Sequence, residues 1–273
     1  MSLKVALVQL RTPATHAEAL AHALPLVRQA AAAVAQLIAT PEGTNILERD
    51  RSRLLPSLRT EADDPVVNGL RAAAVELGVH LLIGSALLRR EDGGAANRSL
   101  LVGPDGSVMA RYDKVHLFDV DLPTGERMRE SAAYTPGDRA VVADLPWGRL
   151  GLTVCYDMRF PHLYRDLGRA GAAVIAVPSA FTRPTGEAHW SVLLRARAIE
   201  TGAFVLAPAQ GGLHADGRGT WGRSMVVGPW GEVLAEAPGD EPGLVYADLD
   251  LSAVTRARAA IPALQHDREY LRP

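Results

Sequence analysis

Apolar residues fall along this chain in two patterns. Short runs of about 4–8, rich in Val, Leu and Ile and bounded by turn residues, read as buried strands, and longer stretches with apolar positions three and four apart read as helices. Residues 3–9 form a first strand, and 17–37 have helical spacing in which Pro25 marks a kink or a late start. A short strand at 37–41 runs directly into Glu42. Asp64 and Pro65 supply an N-cap and an N1 proline for a helix that ends near Gly78, and 79–88 is a third strand. A hairpin follows over 98–111, with Pro104-Asp105-Gly106 in its turn. Residues 114–138 are a long polar connection, whose length argues for function or partner contact over simple linkage.

The same order then recurs. Strand 149–155, helix 161–170, strand 173–178, helix 187–201, strand 203–208 and hairpin 223–237 repeat the first half. The two hairpins can be laid side by side, Arg98-Ser-Leu-Leu-Val-Gly-Pro-Asp-Gly-Ser-Val-Met-Ala110 against Arg223-Ser-Met-Val-Val-Gly-Pro-Trp-Gly-Glu-Val-Leu-Ala235. Arg, Ser, Val, Gly, Pro, Gly, Val and Ala agree in place, and Ile38-Ala-Thr-Pro41 likewise matches Ile175-Ala-Val-Pro178. This is an internal duplication. Two sheets that each bury one face against the other and cover the other face with helices give an α/β fold, a four-layer αββα sandwich built from two similar halves. No Gly- or Ser-rich linker separates the halves, so 1–273 is expected to be a single domain. Residues 245–262 read as a closing strand and helix, and 265–273 as a polar tail, free or packed on another subunit.

Composition narrows the function. A chain of 273 residues with 48% hydrophobic content can bury a full core. A net charge of −2 gives no electrostatic case for nucleic acid or a membrane surface. No stretch of about 18 apolar residues predicts a membrane span, and residues 1–10 lack the basic and apolar regions of a signal peptide. The single cysteine excludes an intrachain disulfide and points to a reducing compartment, so a cytoplasmic location is expected.

That cysteine, Cys155, stands where an apolar strand gives way to a loop and then to a helix opened by Pro161. In open α/β sheets ligands bind at this end of a strand. A lone free cysteine is more often a small buried hydrophobe, but a thiol with a base and a positive neighbour is a nucleophile. Glu42 follows the second strand at the same kind of strand end, Lys114 follows the first hairpin, and Glu130 lies within the long connection. Each alone reads as a solvated surface charge; together they make a candidate nucleophile, base and oxyanion clamp. None of the eight histidines carries a thiol-protease signature beside Cys155, and no Cys or His pair has metal-ligand spacing, so neither metal nor cofactor is expected. Arg159 and Arg183 are candidate contacts for a substrate carboxylate, and Phe181 and Thr182 candidate pocket walls. Arg195 and Arg197 read as structural ion pairs and Trp190 as core.

Pro41-Glu42, Tyr112-Asp-Lys-Val-His-Leu-Phe-Asp119 and Gly151-Leu-Thr-Val-Cys-Tyr-Asp-Met-Arg-Phe-Pro161 resemble, in order, the three catalytic motifs of the nitrilase superfamily of carbon–nitrogen hydrolases. The resemblance runs from residue 3 to about 266, and it implies the αββα sandwich, Glu42 as general base, Lys114 as oxyanion partner and Cys155 as nucleophile. Glu130, in Arg129-Glu-Ser131, matches a second glutamate, and by analogy the Tyr156 backbone N–H joins the oxyanion site. Gly186-Glu-Ala-His-Trp190, Leu194-Arg-Ala-Arg-Ala-Ile-Glu-Thr201 and Ile261-Pro-Ala-Leu-Gln-His266 are similar to the branch of deaminated glutathione amidases, and the ω-amidases share much of this. The implied substrate is a small amide, the implied assembly a homodimer whose interface includes the helix after Cys155. An inactive binding relative is the non-enzymatic alternative. His162 stands where the family commonly has a glutamate, and Gly43-Thr-Asn45 replaces a small-then-aromatic run after the base, which puts the pocket shape in question.

Overall fold

The computed structural model describes residues 2–122 and 125–271. Pro123 and Thr124 of the long connection, and Arg272 and Pro273 of the tail, lie outside the described residues. The first half runs β1 (Ser2–Gln9), α1 (His16–Ala32), β2 (Leu37–Ala39), α2 (Arg51–Ser57), α3 (Pro65–Leu77), β3 (His80–Arg89), β4 (Ala95–Val102) and β5 (Val108–Asp113). The connection contains the small ribbon β6 (Asp119–Asp121) and β7 (Arg127–Arg129) and a 3₁₀ turn, Glu130–Ala132. The second half runs β8 (Val141–Leu145), β9 (Gly148–Leu152), a 3₁₀ turn Cys155–Arg159, α4 (Pro161–Arg169), β10 (Ala172–Ala176), α5 (Arg183–Thr201) and β11 (Phe204–Ala207). The ribbon β12 (Gly211–Leu213) and β13 (Gly219–Trp221), then β14 (Met225–Val227), β15 (Val233–Glu236), β16 (Gly243–Asp250) and α6 (Ser252–Ala260) complete it.

Two six-stranded sheets result, ordered β16-β1-β2-β3-β4-β5 and β15-β14-β11-β10-β9-β8. Read from β16 and from β8, the two have the same sequence of antiparallel, parallel, parallel, antiparallel and antiparallel pairings. The strand pleat decides which face meets what. On β1, Leu3, Val5 and Leu7 join a core shared with Leu150, Leu152 and Leu206 of the other sheet. Ala6 and Val8, on the opposite face, meet Ala23 and Val27 of α1 and Val66 and Leu70 of α3. Helices α4 and α5 cover the second sheet through Leu163, Leu167, Trp190, Leu194 and Ala198. The layers are therefore helix, sheet, sheet, helix, as the duplication implies. The sheets approach so closely at Gly84 that a Cβ there would collide with the Thr40 carbonyl and Pro178.

The structure corrects several boundaries. Helix α1 passes through Pro25 without ending, because Ala19, Ala23, Val27 and Ala30 bury one stripe while the carbonyl released by the proline lies on the solvent side. It stops at Ala32, well before residue 37, because Val34 takes a left-handed φ of 58° and the Gln36 N–H already bonds the Lys4 carbonyl. Helix α2, capped by Asp50 on the Ser52 N–H, has too short and polar a pattern to announce itself. Helix α5 begins at Arg183, with Pro184 in its first turn, instead of at residue 187. Strand β9 ends at Leu152, so Cys155 belongs to the turn beyond it.

Candidate active site

Each of the four chemical side chains is fixed by local bonding at a strand end. Beyond β2 the chain turns through Gly43 (φ 67°); the Gly43 N–H donates to Ser85 Oγ at 2.9 Å and the Glu42 carbonyl accepts from Gln210 Nε2 at 2.9 Å. Just after β5, the Lys114 N–H donates to the Asn97 carbonyl and the Lys114 carbonyl accepts from Gly137, both at 2.9 Å. Glu130 opens the 3₁₀ turn that follows the β6–β7 ribbon. The Cys155 N–H donates to the Pro178 carbonyl at 2.9 Å, and Cys155 itself holds a φ of 49°, a left-handed conformation a side-chain-bearing residue rarely adopts.

Asp157 makes that turn possible. Its fully buried carboxylate accepts from the Val154 N–H at 2.8 Å, Tyr112 Oη at 2.7 Å and the His116 N–H at 3.0 Å, and lies 2.7 Å from His116 Nδ1. One carboxylate thus ties the elbow bearing Cys155 to Tyr112 and His116, on either side of Lys114 in the chain. His116 also stacks on Phe160, ring centroids 3.6 Å apart.

The four side chains come together. Lys114 Nζ lies 2.9 Å from Glu42 Oε1 and 3.0 and 2.8 Å from the two Glu130 oxygens. Asn97 Nδ2 donates to Glu42 Oε1 (2.9 Å) and Glu130 Oε1 (3.1 Å), the Phe118 N–H to Glu130 Oε2 (2.6 Å), and the Ala180 N–H to Glu42 Oε2 (2.8 Å). The Cys155 thiol lies beside Glu42, Lys114 and the Ala180 amide, close enough for each to act on its ionisation. Asn97 and Asp157 are not among the sequence candidates. A signal for Asn97 did exist: a carboxamide on the inward face of β4, where Leu101 is core, is a polar residue at an apolar position.

The electrostatics set the resting protonation. Burial pushes the Glu42 carboxyl up, but the Lys114 ammonium and the hydrogen bonds from Lys114, Cys155 and Asn97 outweigh it and hold Glu42 below the usual carboxylate range. Burial disfavours the Lys114 charge, yet Glu130, Glu42 and Cys155 raise it well above an ordinary lysine. Burial, followed by the Glu42 charge, pushes the Cys155 thiol well up, more than Lys114 lowers it. The resting site is therefore a neutral thiol beside a carboxylate and an ammonium.

These groups line a cavity of about 210 Å³. Tyr156, Phe181 and Thr182 lie on its wall, as do Thr185, Tyr134, Phe118 and Arg218. Arg159 does not: its guanidinium sits 5.9 Å from the Tyr156 ring centroid and 5.5 Å from that of Phe181, behind those rings. Nor does Arg183, which leaves the first turn of α5 to pair with Asp240 at 2.6 Å. The reason is the earlier start of α5, which turns residue 183 away from the cavity. Trp190 is buried, its Nε1–H donating to the Arg223 carbonyl, and Arg197 bonds the Met158 carbonyl and Glu200. Among the described residues no group of three or more His, Cys, Asp or Glu side chains is placed to hold a metal ion, and no helix is long and apolar enough to cross a membrane.

Comparison with known proteins places this arrangement. The chain is 40% identical over 267 residues to the deaminated glutathione amidase of Yersinia enterocolitica, covering 97% of this chain and 92% of that one. It is 34% identical to omega-amidase NIT2 of Homo sapiens, over 99% and 96% of the two chains. The crystal structure of the C. elegans NitFhit protein superposes with a TM-score of 0.91 at 32% identity; the match covers 98% of this chain and 65% of that longer one. The family model for carbon-nitrogen hydrolases matches residues 4–259. Family model, curated relatives and fold agree, and the chain belongs to the carbon-nitrogen hydrolase family, among enzymes that act on amides.

Proposed function

We propose that this chain hydrolyses a small linear amide through a thioester on Cys155, and that the amide is deaminated glutathione, giving 2-oxoglutarate and cysteinylglycine. The observation that carries the chemistry is Lys114 held 2.9 Å from Glu42 beside the Cys155 thiol at a strained turn. As substrate binds, Cys155 Sγ attacks the amide carbonyl and its proton passes to Glu42. The oxyanion meets the Lys114 ammonium and the Tyr156 N–H. Collapse breaks the C–N bond, and the amine leaves with the proton from Glu42. Water then attacks the thioester, Glu42 takes its proton, and the thiol departs reprotonated. Glu130 has both oxygens engaged, by Lys114, Asn97 and the Phe118 N–H, so we assign it to holding Lys114.

The substrate reading is supported by similarity over 97% of the chain to a protein named for that activity. A second reading, ω-amidase action on 2-oxoglutaramate, is favoured by the modest cavity of about 210 Å³ and by the likeness to the human omega-amidase. Steady-state assays of the purified protein on deaminated glutathione, 2-oxoglutaramate, an N-carbamoyl amine and a nitrile decide between them. Deaminated glutathione is expected to have the highest kcat/KM. A higher value for 2-oxoglutaramate replaces the substrate assignment. Turnover of nitriles or carbamoyl compounds alone removes the amidase branch, and no turnover of any substrate leaves the inactive-relative reading.

The assembly we propose is a cytoplasmic homodimer. Exposed Ile199, Trp230 and Ile261 surround a cleft that α4, α5 and α6 share, an apolar face suited to a second copy. A monomer in sedimentation at micromolar concentration, fully active, would remove this.

A further inference from the structure

We infer that Arg218 is the residue that binds a substrate carboxylate inside the active-site cavity, so the preferred amides carry a carboxylate on the side of the scissile bond that reaches Arg218. The inference rests on the amidase reading above and adds to it a specificity residue and a substrate charge.

Three observations meet at Arg218. It lines the cavity that contains Cys155, Glu42 and Lys114. Its Nε is sealed from solvent without a hydrogen-bond partner. Among the described residues its one ion-pair partner, Asp216, stands 3.6 Å from Nη2, beyond hydrogen-bonding range, and Asp216 Oδ2 is itself unpartnered. The environment thus leaves the guanidinium without the acceptors a largely buried arginine ordinarily finds, and an acceptor arriving in the cavity would supply one.

The backbone that carries Arg218 is firmly held. Arg218 closes the β12–β13 turn: the His214 N–H donates to the Arg218 carbonyl at 2.8 Å, the Arg218 N–H donates to Asp216 Oδ1 at 2.9 Å, and Gly217 supplies the φ of 79° the turn needs. Buried His214 braces the ribbon, its Nε2 lying 2.7 Å from Thr220 Oγ1. The Trp221 N–H donates to the Phe181 carbonyl at 2.9 Å and Thr220 bridges Thr182, which fastens the ribbon to the cavity wall. A planar guanidinium carried on such a base, with its own donors unspent, can meet a carboxylate through two parallel hydrogen bonds.

The surrounding charge agrees. Six cationic side chains line the cavity against three carboxylates. Lys114 is shared between Glu42 and Glu130, Glu48 is held by Arg53, and Arg127 and Arg129 share Asp121, which leaves Arg49, Arg51 and Arg218 over. The unspent charge is positive and favours an anionic ligand. Arg159 and Arg183 do not compete for this role, because one lies behind Tyr156 and Phe181 and the other on Asp240.

The test uses the full-length enzyme and two five-carbon amides, glutaramate and pentanamide, that differ by a terminal carboxylate. The wild-type protein is expected to prefer glutaramate in kcat/KM. Arg218→Met should lower the glutaramate-to-pentanamide ratio at least tenfold, mainly through KM, and Arg218→Lys should fall between. A ratio within threefold of wild type in Arg218→Met, including an equal loss on both amides, overturns the inference and leaves the amidase reading standing. Calorimetric titration of glutarate into Cys155→Ala and Cys155→Ala/Arg218→Met gives an activity-independent readout. At least tenfold weaker binding in the double variant supports the assignment, and equal binding overturns it. Should the wild-type protein hydrolyse no amide at all, the amidase reading fails, and the titration still decides whether Arg218 binds carboxylates.

Discussion

Leu10 and Cys155 occupy equivalent places in the two halves. The strand registers place Ala6 beside Ile38 and Gly151 beside Ile175, and four residues further on stand Leu10 and Cys155. The same registers set Glu42 against Ser179. In the second half the turn beyond the strand carries the left-handed Cys155, held by Asp157. In the first half Leu10 has no such strain; it is core and continues in a regular bridge with Gln210. Ser179, where Glu42 would be, bonds the Val177 carbonyl, and its N–H bonds that of Pro208. One scaffold thus has two similar strand-end sites. One is filled by neutral groups that close the seam between sheets; the other gathers charge and strain. A strand end supplies position, and chemistry appears only where the side chains leave a thiol and a charged cluster unsealed.

The largest effect should separate the two equivalents outright. Cys155→Ala is expected to lower amide turnover by about 10⁴-fold or more while the melting temperature stays close to wild type. Turnover surviving in that variant, free of wild-type contamination, removes the nucleophile assignment.

Lys114→Met tests the charged cluster. It leaves Glu42 and Glu130 buried together without their cation, and a stability loss of about 3–5 kcal/mol is expected in denaturant titration. The pH dependence should also invert. In the wild type Glu42 is depressed, so its contribution is present above roughly pH 4.3 and is lost as pH falls through its folded value. Lys114 and Cys155 are raised, so theirs are present below about pH 10.4 and 8.5 and fade as pH rises through the folded values. Stability from this cluster is therefore flat between roughly pH 4.3 and 8.5. Without Lys114 the Glu42 carboxyl value rises, and the variant should be most stable in acid and weaken as pH increases. An unchanged profile would contradict the coupling.

Leu10→Ala examines the silent equivalent. It should cost about 2–5 kcal/mol by loss of buried apolar contact, with the fall in kcat much smaller than in Cys155→Ala. A catalytic loss as large as that of Cys155→Ala would mean that the two strand ends are not independent.

Alkylation of the substrate-free enzyme follows from the neutral thiol. Iodoacetamide should label Cys155 slowly at pH 7 and faster only above the ordinary thiol range, and Glu42→Gln should shift that profile to lower pH by removing the carboxylate charge that raises the thiol. Rapid labelling of the wild type at pH 6 would show a resting thiolate instead. The smallest effect belongs to Arg183→Ala. Its pair with Asp240 is half-exposed, so a change of about 0–1 kcal/mol in stability and little in kcat/KM is expected. A large loss in kcat/KM would return Arg183 to the substrate.

The sequence by itself determined the duplication, the two-sheet sandwich and which four polar residues, Glu42, Lys114, Glu130 and Cys155, meet in one cavity. Those rest on local signals: the two-residue period of buried strands, the repeated Gly-Pro-x-Gly turns, and charged residues stranded at the ends of apolar runs. Tertiary structure alone decided what each charge faces. Arg159, four positions past Cys155, is carried behind the aromatic wall by the 3₁₀ turn, and Arg183 is rotated outward by a helix that starts earlier than its apolar pattern. Arg218, which no local pattern marks, is brought to the cavity by a ribbon fastened to Phe181 and Thr182. Asp157 became legible only through partners far along the chain, Tyr112 among them, and Asn97, marked in the sequence only as a polar residue at an apolar position, found its role through Glu42 and Glu130. Propensity and periodicity act over a few residues, whereas a side chain's partner is set by how strands distant in sequence come to lie together, and that is fixed only when the sheets pack.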